Sequence, residues 1–273
     1  MVFPISIIVP YANTEEPLEV CLNSIKHVFL EKEIIVIDMT PSKLSFRLKV
    51  KNSIQVITAP LLSASRARNL GAQHATTPYL FFLDSDCTLD TFQTSLSHLH
   101  SKISQNPDLI ILQRSEIGRK IEPAPPIKYN FSLHCIEWNC IWRREHFLNL
   151  GGFDERFGPG SPTMAQTGEA FSLCFKHFAI KNTHTIYLPD IKVHHPSLDN
   201  SHKSPQRQFQ YAYGSHYAAF EPFLCSPSRL AAFWFLRTLA GFGKDIRQAP
   251  LSFRARALAL YDVVFGHQPR AKS

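Results

Sequence analysis

The chain has 273 residues, 44% hydrophobic and 19% charged, a globular composition at the upper end of what one domain holds, so one domain with an appendage or two small ones is expected. Its formal charge of +7 and pI near 9.1 favour an anionic partner such as a nucleotide or a phospholipid surface, and no apolar run approaches the roughly 20 residues that a bilayer span requires. Nucleic acid would also suit the charge, but no module for it is recognisable and that class is set aside.

The pattern opens with a strand, Ile5 to Val9, followed by Pro10 and Tyr11. Leu18, Cys21, Leu22, Ile25 and Val28 then recur at helical spacing, with Asn13 or Thr14 as the expected cap. A second strand, Glu33 to Ile37, runs into Asp38, a residue suited either to ligand contact at a strand end or to a turn with Thr40 and Pro41. A third, Ile54 to Thr58, leads through Pro60 to a helix from about Ser63 to Ala75, whose Ala64, Ala67, Gly71, Ala72 and Ala75 predict close packing on a sheet. Arg66 and Arg68 on that helix can pair with phosphates or with the acids that follow; the alternative is two solvated arginines.

Next comes YLFFLDSDCTLD (79–90), an apolar run of the kind buried on both faces of a sheet, ending in two carboxylates. With extended backbone through Ser85, Asp84 and Asp86 point the same way at about 6 to 7 Å and repel by about 2 to 3 kcal/mol at a dielectric near 20. Such a pair calls for a cation. Thr88 or Asp90 is expected to cap a helix through Phe92, Leu96 and Leu99. After a further strand, Leu109 to Leu112, the alternation predicts an α/β chain with a largely parallel sheet and helices on both faces. In such sheets ligands bind beyond the carboxyl ends of the strands, which collects Pro10, Tyr11, Asp38, Asp84 and Asp86 at one edge.

The six cysteines lack close paired spacing and no secretory leader is read, so they are expected as reduced thiols of a cytoplasmic protein. Cys135 and Cys140 beside His134 make a weak zinc pattern, with four intervening residues and no second pair.

Taken in order, ISIIVP (5–10), IIVID (34–38), SRARNLGAQHATTPYLFFLDSD (65–86), GGFDERFG (151–158) and GEAFSLCFK (168–176) resemble the inverting glycosyltransferases of family 2, which have the GT-A fold. The resemblance implies a GT-A domain over 1–205, with a nucleotide-binding half at 1–115 and an acceptor half at 116–205, before a helical region at 206–273. It implies that Asp38 contacts the nucleotide base, that Arg68 lies near the diphosphate, and that Asp84 and Asp86 form the DxD motif. Asp86 would ligate Mn²⁺ or Mg²⁺ and Asp84 would lie nearer the ribose. A third contact is expected from the histidine pair of DIKVHHPS (190–197), His195 in preference to His194.

The pattern also departs from the family. The base that accepts the hydroxyl proton usually comes from a Gly-Glu-Asp-x-Asp-Leu context, and here Ala170 and Ser172 stand where acids are usual. Glu169 remains as the candidate base, with Asp154 or Glu155 as alternatives, and as a first-turn helix carboxylate it also has a purely structural reading. Trp138 and Trp142 suit either a sugar ring or the core. The Gly- and Pro-rich loop 157–168 reads as an active-site loop.

Past Asp199 the chain turns to cations and aromatics, with Leu230, Phe233, Trp234, Leu236, Leu239 and Phe242 among Arg229, Arg237, Lys244 and Arg247. Such a segment suits a membrane interface, as in relatives that elongate lipid-linked sugars, or packing on the catalytic domain or a second subunit. The expected function is transfer from a nucleotide sugar, UDP-linked among the candidates, to a hydroxyl of a glycan or lipid-linked glycan at the cytoplasmic side of a membrane. The alternative is a catalytically degenerate GT-A protein that binds nucleotide sugar or scaffolds a membrane glycan-assembly complex, for which Ala170 and Ser172 argue.

Overall fold

Eight strands form one sheet in the order β3-β2-β1-β4-β7-β6-β8-β5, where β1 is Ile5–Tyr11, β2 Glu33–Asp38, β3 Ile54–Thr58, β4 Tyr79–Phe82, β5 Thr88–Asp90, β6 Leu109–Glu116, β7 Cys140–Arg143 and β8 Thr185–His195. The computed structural model describes residues 5–12, 15–28, 33–40, 54–60, 62–90, 93–116, 125, 129–196, 204–242 and 249–272. Strands β3, β2, β1 and β4 are mutually parallel, β7 runs against β4 and β6, and β5 runs against β8, so the sheet is mostly parallel with two reversed strands.

Alternation along the strands feeds two cores. Ile5, Ile7, Val9 and Tyr11 pack on one face with Leu18, Cys21, Leu22 and Ile25 of helix α1 (Glu15–Val28), while Ile8 packs on the other with Ala67 and Ala72 of helix α2 (Ala64–His74). The small residues of α2 act as the sequence predicts: a Cβ on Gly71 would lie 2.4 Å from Ile8 Cγ2. The Ser63 hydroxyl caps this helix by accepting from Arg66 N at 3.3 Å. The expected caps Asn13 and Thr14 lie outside the described residues.

Two expectations around the acidic strand are corrected. Thr88 and Asp90 do not cap a helix, because they belong to β5 and pair with His194 and Lys192 of β8; helix α3 (Gln93–Ile103) follows only after two further residues. Nor does extended backbone persist through Ser85. The chain turns there, Cys87 N donating to Asp84 O at 2.9 Å.

Short helices α4 (Phe131–His134) and α5 (Arg144–Asn149) flank β7, and α6 (Glu169–Ala179) precedes β8. The last part of the chain is helical: α7 (Pro205–Cys225), α8 (Arg229–Ala240) and α9 (Pro250–Val264), with Ser204 and Ser228 capping the first two. These helices pack on the rest of the protein. Leu230 and Trp234 are buried with Phe131 and Phe178, and Tyr213, Tyr217 and Phe220 close over Phe157 and Ala165. Much of the apolar face read as a membrane surface is therefore used internally, although Leu236 and Phe265 remain exposed. No helix among the described residues is long and apolar enough to cross a membrane.

Candidate active site

A cavity of about 630 Å³ opens beside the carboxyl end of β4. Three acids line it: Asp84 after β4, Glu137 on a single 3₁₀ turn (Glu137–Asn139) before β7, and Glu169, the first residue of α6. Arg68 ties them together. Its Nη2 lies 2.6 Å from Asp84 Oδ1 and 3.7 Å from Glu137 Oε1, and its Nη1 lies 3.5 Å from Glu169 Oε1. The guanidinium is 2% exposed, and a charge so buried is sustained only by such partners. Burial works against its proton, but the three carboxylates outweigh burial and hold its pKa above the usual arginine value.

Glu169 is held apart from solvent, its Oε2 buried without a hydrogen-bond partner. Burial and then repulsion from Glu137 push its carboxyl up to about 8, against the opposing pull of Arg68. Burial raises Glu137 as well, again opposed by Arg68. The two acids thus form a pair that keeps a proton well above the ordinary carboxylate range. Above them sits Gly158 at φ +98, where a Cβ would approach Glu169 Oε1 to 2.9 Å, so the loop can close over this carboxyl only with glycine there.

At the mouth of the cavity His195, the last residue of β8, faces the acidic turn: its Nε2 lies 3.6 Å from Asp86 Oδ1 and 3.9 Å from Asp84 Oδ2. Trp138 stacks on the imidazole at 5.2 Å. His194 points elsewhere, toward Asp90 at 3.6 Å. Burial raises the Asp86 carboxyl and His195 opposes it. Ligand atoms of Asp86, Cys87 and His195 lie within 4.8 Å of one another, and Asp86 is the more open of the two aspartates. A carboxylate and an imidazole on an acid-rich rim suit a divalent cation such as Mn²⁺.

The description Glycosyl transferase family 2 matches residues 6–164. The chain belongs to that family. Among solved structures it resembles TarS 1-349 of S. aureus, at 14% identity and TM-score 0.56, covering 96% of this chain and 92% of that one. It also resembles the mannosyltransferase PcManGT of Pyrobaculum calidifontis, solved in complex with GDP-Man and Mn²⁺, at 14% identity and TM-score 0.61, covering 97% and 76%. No curated relative matches in sequence. The GT-A fold and the assignment as a family 2 glycosyltransferase follow.

Other predicted residues of this glycosyltransferase fall in varied places. Pro10 and Tyr11 are buried at the end of β1, in register with Ile37 and Asp38. Asp38 is fully buried, its Oδ1 accepting from Thr40 N at 3.1 Å and Thr40 Oγ1 at 2.5 Å, which is the turn geometry weighed for it; Pro41 lies outside the described residues. Arg66 pairs with Glu155 at the surface, at 2.9 Å. Asp154 is held by Arg156 at 2.6 Å; burial raises its carboxyl, but the bonds from Arg156 bring it below the usual range. Neither Asp154 nor Glu155 lines the cavity, whereas Ala170 does. Trp138 and Trp142 are both core, Trp138 also forming cavity wall.

Cys135 and Cys140 are joined by Cys174 of α6 rather than by His134, the three sulfurs lying buried within 4.8 Å of one another. All six cysteines are free. Glu137 is the residue that sequence reading missed. Its one signal was an acid set between Ile136 and Trp138, where the flanking residues are apolar.

Proposed function

We propose that the protein is a metal-dependent inverting glycosyltransferase, moving a sugar from a nucleotide-sugar donor to a hydroxyl of a glycan or lipid-linked glycan. The observation that carries this reading is the acidic end of the cavity, where Asp84, Glu137 and Glu169 gather around Arg68 and His195 faces Asp84 and Asp86 at the mouth. Inversion requires that the proton of the attacking hydroxyl and the departing diphosphate leave in opposite directions. TarS has been solved with UDP-GlcNAc and PcManGT with GDP-Man and Mn²⁺, which supports a nucleotide-sugar donor and a divalent cation here.

In this reading Asp86 and His195 would hold the cation, which when bound neutralises charge on the diphosphate. Asp84, fixed by Arg68, borders the donor; Pro10, Tyr11 and Asp38 shape the nucleotide end at the neighbouring strand termini. Arg68 acts on the diphosphate only through Asp84, since its guanidinium is committed to carboxylates. The hydroxyl proton goes to the Glu137–Glu169 pair, which stands in for the acid absent at Ala170, with Glu169 as the proton store at its buried end.

The test is release of nucleoside diphosphate from a panel of nucleotide sugars, with and without Mn²⁺, in wild type, Asp86→Ala, Glu169→Gln and Glu137→Gln with membrane-derived acceptors. Metal-dependent release that is lost in the variants supports transfer. Metal-dependent binding without release on any acceptor would favour the second reading, a nucleotide-sugar-binding protein, for which Ala170 and Ser172 argue.

A further inference from the structure

Three of the cysteines converge from separate elements. Cys135 follows α4, Cys140 opens β7 and Cys174 lies on α6, and their Sγ atoms all stand within 4.8 Å of one another. The three residues are buried in the core that also holds Phe131, Trp142 and Phe178. The loop between the first two is held from within. Asn139 Oδ1 accepts from Ile136 N at 2.8 Å, and Asn139 Nδ2 donates to His134 O and Leu112 O, both at 2.7 Å. This bonding fixes the loop against β6 and leaves both of its sulfurs within reach of Cys174. Thiolates around one zinc ion, each about 2.3 Å from it, stand about 3.8 to 4.0 Å apart. Sulfurs already inside 4.8 Å reach that spacing by side-chain movements of about 1 Å or less. Sulfur donors select soft cations such as Zn²⁺ and Cu⁺ over the Mn²⁺ and Mg²⁺ that oxygen donors hold. Cys135 also lines the cavity, which gives an ion a way in.

We propose that Cys135, Cys140 and Cys174 form a thiolate site for a soft cation, Zn²⁺ or Cu⁺, separate from the rim at Asp86 and His195. Binding forms metal–sulfur bonds, and the displaced thiol protons pass to solvent. Cys135 and Cys140 bracket the 3₁₀ turn that carries Glu137, and Cys174 lies on the helix that begins at Glu169, so the ion ties those two elements together. The consequence for the acid pair rests on the transferase reading; the binding of the ion does not.

The experiment uses the full chain, reduced, stripped of metal and kept under argon. It is titrated with Co²⁺, a spectroscopic substitute for Zn²⁺, and separately with Cu⁺ in competition with a chromophoric chelator. Wild type is expected to develop a thiolate-to-cobalt charge-transfer band that saturates at one equivalent and is discharged by Zn²⁺, or to take one equivalent of Cu⁺ from the chelator. A Cu⁺ signal without a cobalt band assigns the site to the monovalent ion. Cys140→Ala and Cys174→Ala should each weaken binding by at least about tenfold, the least that loss of even a ligand's hydrogen-bond partner costs. Cys87→Ser, at the rim beside Asp86 and His195, should leave the signal in place. Absence of both signals in wild type overturns the proposal, as does binding that Cys140→Ala and Cys174→Ala leave unchanged. Far-ultraviolet dichroism shows whether each metal-free variant folds. Where one does not, X-ray absorption of the metal-loaded wild type decides: two or three sulfur ligands uphold the site, and one or none overturns it. Glycosyl transfer is not part of the readout, so failure of the transferase reading leaves the result standing.

Discussion

Replacing Arg68 with Met keeps the length of the side chain but removes the charge that three acids share. Asp84, Glu169 and Glu137, at 2.6, 3.5 and 3.7 Å from the guanidinium, would then face one another without a cation. Breaking a buried ion pair from one side costs about 3 to 5 kcal/mol, a large part of the roughly 5 to 15 kcal/mol that holds a domain folded. At about 2 to 4 °C per kcal/mol, the melting temperature should fall by roughly 6 to 20 °C. The sign with pH follows from the acids. Burial raises Glu169 and Glu137 while Arg68 opposes it, so losing Arg68 raises both further above their unfolded values. An acid with a raised folded pKa stabilises the fold when protonated, and this contribution is lost as pH rises from the unfolded value toward the folded one. Urea unfolding at pH 5 and pH 8 should therefore show the greater loss at pH 8, with Arg68→Lys intermediate. A loss below about 1 kcal/mol at both pH values would refute the idea that this arginine sustains the acid cluster.

The Glu137–Glu169 pair should place a limb on the pH dependence of kcat/KM, rising with pH and levelling near the value of about 8 set for Glu169, because the base must be unprotonated. Glu169→Gln should flatten that limb and lower kcat by about 10²- to 10⁴-fold; an unchanged profile would remove the pair from the chemistry. Asp86→Ala should abolish Mn²⁺-dependent binding of nucleotide sugar while leaving the melting profile close to wild type; full retention of binding would exclude Asp86 as a ligand. Gly214→Ala drives a Cβ to within 2.3 Å of Thr167 O, so α7 must shift from the loop, at about 1 to 3 kcal/mol in denaturant unfolding.

The parallel half of the sheet was legible because period-two apolar runs and small helix residues report burial directly, as Ile7, Ile8, Ala67 and Gly71 show. The acids at the end of β4 stood out for the same reason, being polar residues at the end of a run that is wholly buried. What sequence could not supply was direction and partnership. Helical spacing placed Arg68 near the strand ends and offered phosphates, the following acids or solvent as its surroundings, but could not choose the acids, to which its guanidinium turns. Thr88 and Asp90 look like caps because the residue types that begin helices also suit short strands beside turns. Glu137 was hidden by its neighbours, since its role depends on β7 being threaded between β4 and β6, a reversed strand that no local pattern announces.

Strand β5 follows β4 by only a short turn, yet it pairs at the opposite edge of the sheet with β8, more than a hundred residues further along the chain. That pairing brings His195 to Asp84 and Asp86, so the halves of the acidic rim meet only through a contact of very long sequence separation. Contacts of this kind form slowly, because the loop entropy must be lost before any pairing compensates for it. The proposed cation site at this rim should therefore be among the last parts of the molecule to assemble and the first to come apart. A ligand bridging Asp86 and His195 would act chiefly as a brake on unfolding, slowing it while leaving the refolding rate nearly unchanged.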